Sequence, residues 1–290
     1  MGVDILTTGI EATKCGQFAI LLAGHGTEYV RETYGGVPTL IKNLLSDVDE
    51  VWDTFRVVDG EFPSDADLYK YEGFVVTGSC EDAHGSTQWV LDLCEVIRKV
   101  HRMNRKLLGI CFGHQVISRA LGGKTGRAIN GWELGLKKIV LSNPAYPKPY
   151  IRQLPSSLSI IEVHQDEVYE LPPGGEILAS SDKTSVEMYA IGNQVLGVQG
   201  HPEFTKDITA NIIDTYLEKH NLSDDFIARA KLTLREGEAD REIFAQLCKS
   251  FLKATPCQVH PLDYELIGID APEAVEKSFQ IIQRGQYIVS

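Results

Sequence analysis

The chain has 290 residues, 43% of them hydrophobic and 23% charged, which supplies a large buried core and excludes a disordered chain. Its net charge of −12 repels phosphate backbones, so nucleic acid is not an expected partner. No apolar run reaches the roughly 18 residues of a membrane span, and the opening MGVDILTTGIEATKCGQ lacks the basic and apolar regions of a secretory signal, so no membrane partner is expected.

In chain order, residues 1–17 read as a lead-in. Residues 18–23 (FAILLA) predict a first buried strand, 55–58 (FRVV) a second and 73–79 (GFVVTGS) a third. Residues 88–102 carry Trp89, Leu93, Val96, Ile97 and Val100 at helical spacing. Residues 106–110 predict a fourth strand and 114–121 a helix. Strands apolar throughout, alternating with helices, imply an α/β fold whose parallel sheet is covered on both faces. Between 125 and 200 the pattern changes to short β-like pieces at 137–141, 158–163, 186–191 and 195–199, separated by turn residues such as Pro172-Pro173-Gly174-Gly175. Residues 206–253 read as mostly helical. Pro256 ends that pattern, and an extension over 254–290 of unassigned role holds one amphipathic stretch, 272–284.

Six cysteines (15, 80, 94, 111, 248 and 257) lie scattered, with no CxxC and no histidine at zinc-ligand spacing. They read as reduced thiols of a cytosolic protein. One of them is singular. Gly109-Ile110-Cys111-Phe112-Gly113-His114-Gln115 closes the fourth strand and opens a helix, the form of a nucleophile elbow. The chain reverses sharply there, and residues two away from the tip come too close for side chains, which Gly109 and Gly113 satisfy. The elbow would lift Cys111 to the sheet rim at a helix N-terminus, where unpaired amides favour a thiolate. The Phe112 N–H, just after it, would face a developing oxyanion. Alone, this pattern fits a buried structural cysteine equally well; it needs a base. The candidate is His201, which follows the 195–198 run in Gly197-Val198-Gln199-Gly200-His201-Pro202-Glu203, with Glu203 placed to hold the imidazole tautomer.

Other signals carry less. Gly122-Gly123-Lys124-Thr125 fails as a phosphate-binding loop, because position 118 is serine and the segment follows a helix. His164-Gln165-Asp166-Glu167 reads as a loop that shapes the pocket rather than a metal site. His25, His84, His101, His220 and His260 show no arrangement. Trp132-Glu133, Tyr34 and Arg119 receive no assignment, and the sequon at Asn221 has no meaning without a secretory signal.

Together the two motifs resemble those of the class I, triad-type glutamine amidotransferases: GICFGHQ is similar to their nucleophile motif and GHPE to their His-Pro-Glu motif. Within that superfamily the wider pattern is closest to the plant γ-glutamyl peptidases, through Tyr34-Gly35-Gly36, Trp52-Asp53, Asp59-Gly60, GFVVTGS, LLGICFGHQ and HQDEV at 164–168. The resemblance covers roughly 17–253, with one domain over 18–253. It implies a flavodoxin-like three-layer sandwich with a central, mostly parallel sheet and helices on both faces. It implies that Cys111 attacks a γ-glutamyl carbonyl, that His201 serves as base and then acid, and that Glu203 orients His201. Phe112 and the Gly78-Ser79 turn would form the oxyanion hole, and Gln115 would help hold the glutamyl group. Cys80 departs from the pattern, since relatives often carry proline there. The implied activity is removal of the γ-glutamyl group from glutathione conjugates, a small-molecule partner, as in the making of sulfur-containing defence metabolites such as glucosinolates. No metal or organic cofactor is expected. Two alternatives remain: a glutaminase subunit supplying ammonia to a separate synthetase, and a catalytically silent scaffold. No SGGxDS-type ATP signature accompanies the motifs, which favours the peptidase over a fused synthetase.

Overall fold

The computed structural model describes residues 16–142, 148–151, 154–215, 220 and 222–254. The lead-in up to residue 15, Asn221, Pro256, Cys257, His260 and the amphipathic stretch at 272–284 lie outside the described residues.

The first half of the chain builds the parallel half of a sheet. Strands β1 (Gln17–Leu21), β2 (Val51–Phe55), β3 (Gly73–Val76) and β4 (Lys106–Ile110) alternate with helices α1 (Glu28–Tyr34), α2 (Val37–Leu45), α3 (Asp65–Leu68) and α4 (Gln88–Arg102). Helix α5 (Phe112–Ala120) follows β4 directly. The second half adds β5 (Lys124–Arg127), β6 (Glu133–Leu141), β7 (Ser157–His164), β8 (Asp166–Glu170), β9 (Gly175–Ser180), β10 (Met188–Ile191) and β11 (Val195–Val198). Helices α6 (Lys206–Thr215), α7 (Asp224–Glu236) and α8 (Arg241–Lys253) close the described chain. The main sheet has nine strands in the order β2-β1-β3-β4-β11-β10-β9-β6-β7, and β5 pairs with β8 in a second, two-stranded sheet.

Successive residues of a strand point to opposite faces, and here each face finds its own helices. Ile20, Val75, Leu108, Ile110 and Leu196 pack with Leu40 and Ile41 of α2 and Phe244 and Phe251 of α8. Ala19, Leu21, Phe74, Val76 and Leu107 pack on the other side with Leu93, Ile97 and Val100 of α4 and Val116 and Ile117 of α5. That is the expected three-layer arrangement. Pairing is parallel from β2 through β11, and antiparallel from β11 to β7, so the sheet as a whole is mixed. The short pieces after residue 125 have turns too brief for crossover helices, and such strands return antiparallel.

The second strand lies earlier than its apolar run suggested. β2 is an edge strand, paired among the described residues with β1 alone, and its burial alternates around Trp52. An edge strand needs one apolar face, so it lacks a continuous apolar signature. The apolar residues that follow instead form a short 3₁₀ turn, Val57–Asp59, with Val57 buried. His164 and Asp166 do not sit in a pocket loop either: they end β7 and begin β8, with only Gln165 between them.

Candidate active site

Three neighbouring strands end at one rim. Val76 of β3 lies opposite Gly109 of β4, and Ile110 of β4 opposite Val198 of β11, all parallel. The segments leaving those strands, 77–79, 111–113 and 199–203, therefore emerge side by side at the carboxyl end of the sheet, where α/β proteins place their sites.

At β4 the elbow is real. Cys111 has φ 52° and ψ −109°, and its only companions at positive φ among the described non-glycine residues are Asp49 and Asn104. Two hydrogen bonds hold it: its N–H donates to Val198 O at 2.9 Å, and its carbonyl accepts from Gln115 N–H at 3.1 Å. One bond prolongs the sheet and the other starts the helix, so the residue between absorbs the whole reversal, at a cost of about 1–3 kcal/mol. The sulfur is more covered than an open tip would be. Cys111 is 5% exposed, and its thiol lies 3.9 Å from Val163 O.

His201 reaches the same place from β11. Its N–H donates to Ile161 O at 2.8 Å, its ring stacks on Phe204 at 4.1 Å between centroids, and Nδ1 lies 2.8 Å from Glu203 Oε1. An ionised carboxylate only accepts, so the bond puts the proton on Nδ1 and leaves Nε2 for proton transfer. The Cys111 side chain lies within hydrogen-bonding reach of the ring. Burial pushes the His201 pKa down, but the Glu203 carboxylate and Cys111 outweigh it, and the net result is well above the ordinary imidazole value. The ring thus holds its second proton to higher pH than a free imidazole does. The alkaline limb of a pH–rate profile, which reports loss of that proton, is expected above the free-imidazole range. Glu203→Gln should bring this limb down in pH and lower turnover by about 10⁴-fold or less. A limb that stays in place in the Gln variant would detach Glu203 from the imidazole's protonation.

Gly78 packs against both partners. A Cβ there would stand 2.9 Å from His201 Cε1 and 3.8 Å from Cys111 Cβ. The turn is anchored by Thr77, whose Oγ1 accepts from Ala23 N–H at 3.0 Å. Phe112 begins α5, so its N–H is among the first-turn amides that have no partner inside the helix. Ser79 uses its Oγ to accept from Glu81 N–H at 3.1 Å, and Cys80 is exposed.

Gln115 lies behind Cys111 rather than open beside it. Its Nε2 donates to Asp166 O at 2.8 Å and to Gln199 Oε1 at 3.0 Å, which commits both amide hydrogens to bracing α5 against β8 and the end of β11. A glutamyl contact would have to use its oxygen. His114 of the same motif is fully buried, its pKa pushed down by burial to about 3, and its ring packs edge-on against Tyr189.

Of the unassigned residues, Arg119 donates to Ala83 O and Gly85 O at 2.7 and 2.6 Å, fixing the loop after the Gly78-Ser79 turn. Tyr34 donates to Asp207 Oδ2 at 2.6 Å, tying α1 to α6. His84 faces Asp166 at 3.4 Å, and His25 faces Asp59 at 2.9 Å. The residues missed by pattern reading are buried and polar: Gln199, Thr184, and the group Glu133, Glu162, His164 and Glu187. Burial together with their mutual repulsion raises the Glu162 pKa well above the usual carboxyl value, and burial likewise raises Glu187 to about 9. Of this group the sequence pattern singles out only His164, as part of a pocket-shaping loop, and Glu133, without an assignment.

Residues 39–217 match the model of the family described as glutamine amidotransferase class-I. The chain is 47% identical to Gamma-glutamyl peptidase 4 of Arabidopsis thaliana over 83% of its own length and 96% of that protein. It is 46% identical to Gamma-glutamyl peptidase 5 of the same plant, over 84% and 98%. Among solved structures, a glutamine amidotransferase from Thermotoga maritima superposes with a TM-score of 0.60 at 19% identity, over 82% of this chain and 98% of that one, which is a likeness of fold.

Proposed function

The chain belongs to the class I glutamine amidotransferase family, and on that premise we propose that it is a γ-glutamyl peptidase working through Cys111, His201 and Glu203. The observation that carries the reading is the meeting of a strained cysteine and a carboxylate-held histidine on adjacent strand ends. In the first step the Cys111 sulfur attacks the γ-carbonyl carbon, and the carbonyl oxygen becomes an oxyanion facing the Phe112 N–H and the Gly78-Ser79 turn. His201 gives its proton to the leaving amine as the C–N bond breaks, leaving a thioester. Water then attacks the thioester carbon, His201 takes a proton from it, and glutamate departs as the C–S bond breaks. Glu203 keeps the ring oriented throughout.

The substrate we propose is a glutathione conjugate, whose γ-glutamyl group supplies the scissile amide and whose conjugated cysteine supplies the leaving amine. Support comes from the relatives' printed name, γ-glutamyl peptidase. Cys94, Cys111 and Cys248 form no disulfide, which fits a reducing compartment, and we place the enzyme in the cytosol.

Family membership also favours a second reading, a glutaminase that yields ammonia. One paired assay separates the two. Glutamate release from S-substituted glutathione is expected to exceed ammonia release from free glutamine at equal concentration, by at least tenfold in kcat/KM. Ammonia release that dominates would replace the peptidase with the glutaminase.

A further inference from the structure

A second polar cluster lies under the triad, and it is short of protons or cations. Glu133 of β6 and His164 of β7 are directly paired across the two strands. Glu162 stands two residues earlier on β7, on the same face. Glu187 precedes β10 and enters the same interior. One ligand atom each from Glu162, His164 and Glu187 lies within 4.8 Å of the others. All four side chains are at most 4% exposed.

Charges are not buried this way unless they are paired, hydrogen-bonded or bound to a metal. Thr184 Oγ1 donates to Glu133 Oε2 at 2.5 Å, the Ser181 side chain approaches Glu187, and the Glu162 and Glu187 carboxyl groups approach each other closely enough to share a proton. Otherwise, among the described residues, no hydrogen bond of acceptable geometry reaches either oxygen of Glu162, either oxygen of Glu187 or Nε2 of His164. The His164 ring is also oriented in a telling way. Its Nδ1 lies 3.0 Å from Asp166 O. A carbonyl only accepts, so Nδ1 carries the hydrogen, and in the neutral ring the Nε2 lone pair points at carboxylates: Glu162 Oε2 at 3.3 Å and Glu133 Oε2 at 3.7 Å. A lone pair facing carboxyl oxygens needs a proton or a metal cation between them. A metal-binding histidine is held in the same manner, its other nitrogen donating to a backbone carbonyl.

We propose that Glu162, His164 and Glu187, with Glu133 beside them, bind one divalent cation of the Zn²⁺ or Mn²⁺ class. One imidazole among carboxylates suits those ions better than Mg²⁺, which prefers oxygen and retained water. The site is separate from the triad but next to it. A Cβ on Gly200 would stand 2.4 Å from Glu162 Oε1, so the cluster backs the turn that carries His201. The cation would neutralise the buried carboxylates and fix that turn, without touching substrate.

The test uses the full chain carrying Cys111→Ala, so that the triad sulfur offers no competing ligand. The protein is stripped with a chelator and dialysed against micromolar Zn²⁺ or Mn²⁺ chloride, and bound metal is counted by mass spectrometry. Uptake of about one equivalent of either ion is expected, with a rise in Tm over the stripped protein. Glu187→Gln should weaken binding by about 100-fold or more, since loss of a ligand exceeds the roughly 10–100-fold cost of losing a ligand's outer hydrogen-bond partner. Glu162→Gln carries the same comparison if Glu187→Gln does not fold. Uptake below about 0.1 equivalent of both ions, or uptake unchanged in the folded Gln variants, overturns the site and assigns the positive charge to shared protons instead. The result does not depend on which γ-glutamyl substrate the enzyme takes.

Discussion

Replacing Cys111 by alanine is expected to lower glutamate release from a glutathione conjugate by on the order of 10⁶-fold, the loss seen when a nucleophile is removed from a hydrolytic triad. Substrate affinity should change little, because the sulfur forms its bond after binding. The same variant should also lower the His201 pKa, since Cys111 is one of the groups that hold it up. NMR titration of the imidazole would read that shift independently of turnover. Thiol labelling gives a third view. Cys248 is fully buried and its thiol is pushed up by burial to about 12, and burial also raises Cys94, so neither should react with iodoacetamide near neutral pH. Cys80 is exposed, so access alone favours its labelling. Cys111, beside a protonated imidazole, should outpace Cys80 despite its 5% exposure. Glutamate release that survives the alanine substitution would remove the covalent mechanism altogether.

The parts legible in the sequence were those where a local rule and the tertiary demand coincide. β4 and α4 match their apolar patterns to the residue, because β4 is a central strand buried on both faces and α4 shows one apolar stripe to the sheet. Cys111 was legible because its glycine neighbours are steric necessities, and His201 because a short apolar strand hands it directly to the rim. Helices α1 and α2 were missed: they are short, and the turn between them is set by Gly35 and Gly36, both at positive φ, rather than by periodicity. β2 was misplaced because an edge strand is half polar. The Glu133–Glu162–His164–Glu187 group was not legible as a cluster: His164 reads from the sequence as part of a pocket-shaping loop, and Glu133 carries no assignment. Glu162 and His164 share β7, but only the antiparallel pairing of β6 with β7 and the return of β10 bring Glu133 and Glu187 to them. The braced position of Gln115 was hidden for the same reason, since its partners Asp166 and Gln199 are supplied from β8 and from beyond β11.

Gly113→Ala should damage the fold itself, and this separates a strained but functional elbow from a merely tight turn. The added Cβ would stand 2.1 Å from Val76 O, 2.8 Å from Val76 C and 3.0 Å from Val76 Cβ. Those obstacles are mostly backbone, and β3 cannot move aside because it is hydrogen-bonded to β1 on one side and β4 on the other. Helix α5 must therefore lift, which breaks its packing on Val76 and Phe74 and draws Gly109 with it, whose own missing Cβ makes room for the Gly113 backbone at 2.5 Å. Overpacking of this kind costs about 3 kcal/mol or more, equivalent to a Tm lower by roughly 6–12 °C in a chain of this size. Gly126→Ala is the control, because its nearest neighbour would be Tyr169 Cε1 at 3.4 Å, an ordinary van der Waals distance. That change should alter stability by about 1 kcal/mol at most. Thermal melts of the three proteins make the comparison. If Gly113→Ala melts with the parent and still releases glutamate, the close approach of α5 to β3 is not what holds Cys111 at its positive φ, and the strain at Cys111 must be maintained from the β11 side, through Val198 and the segment leading to His201.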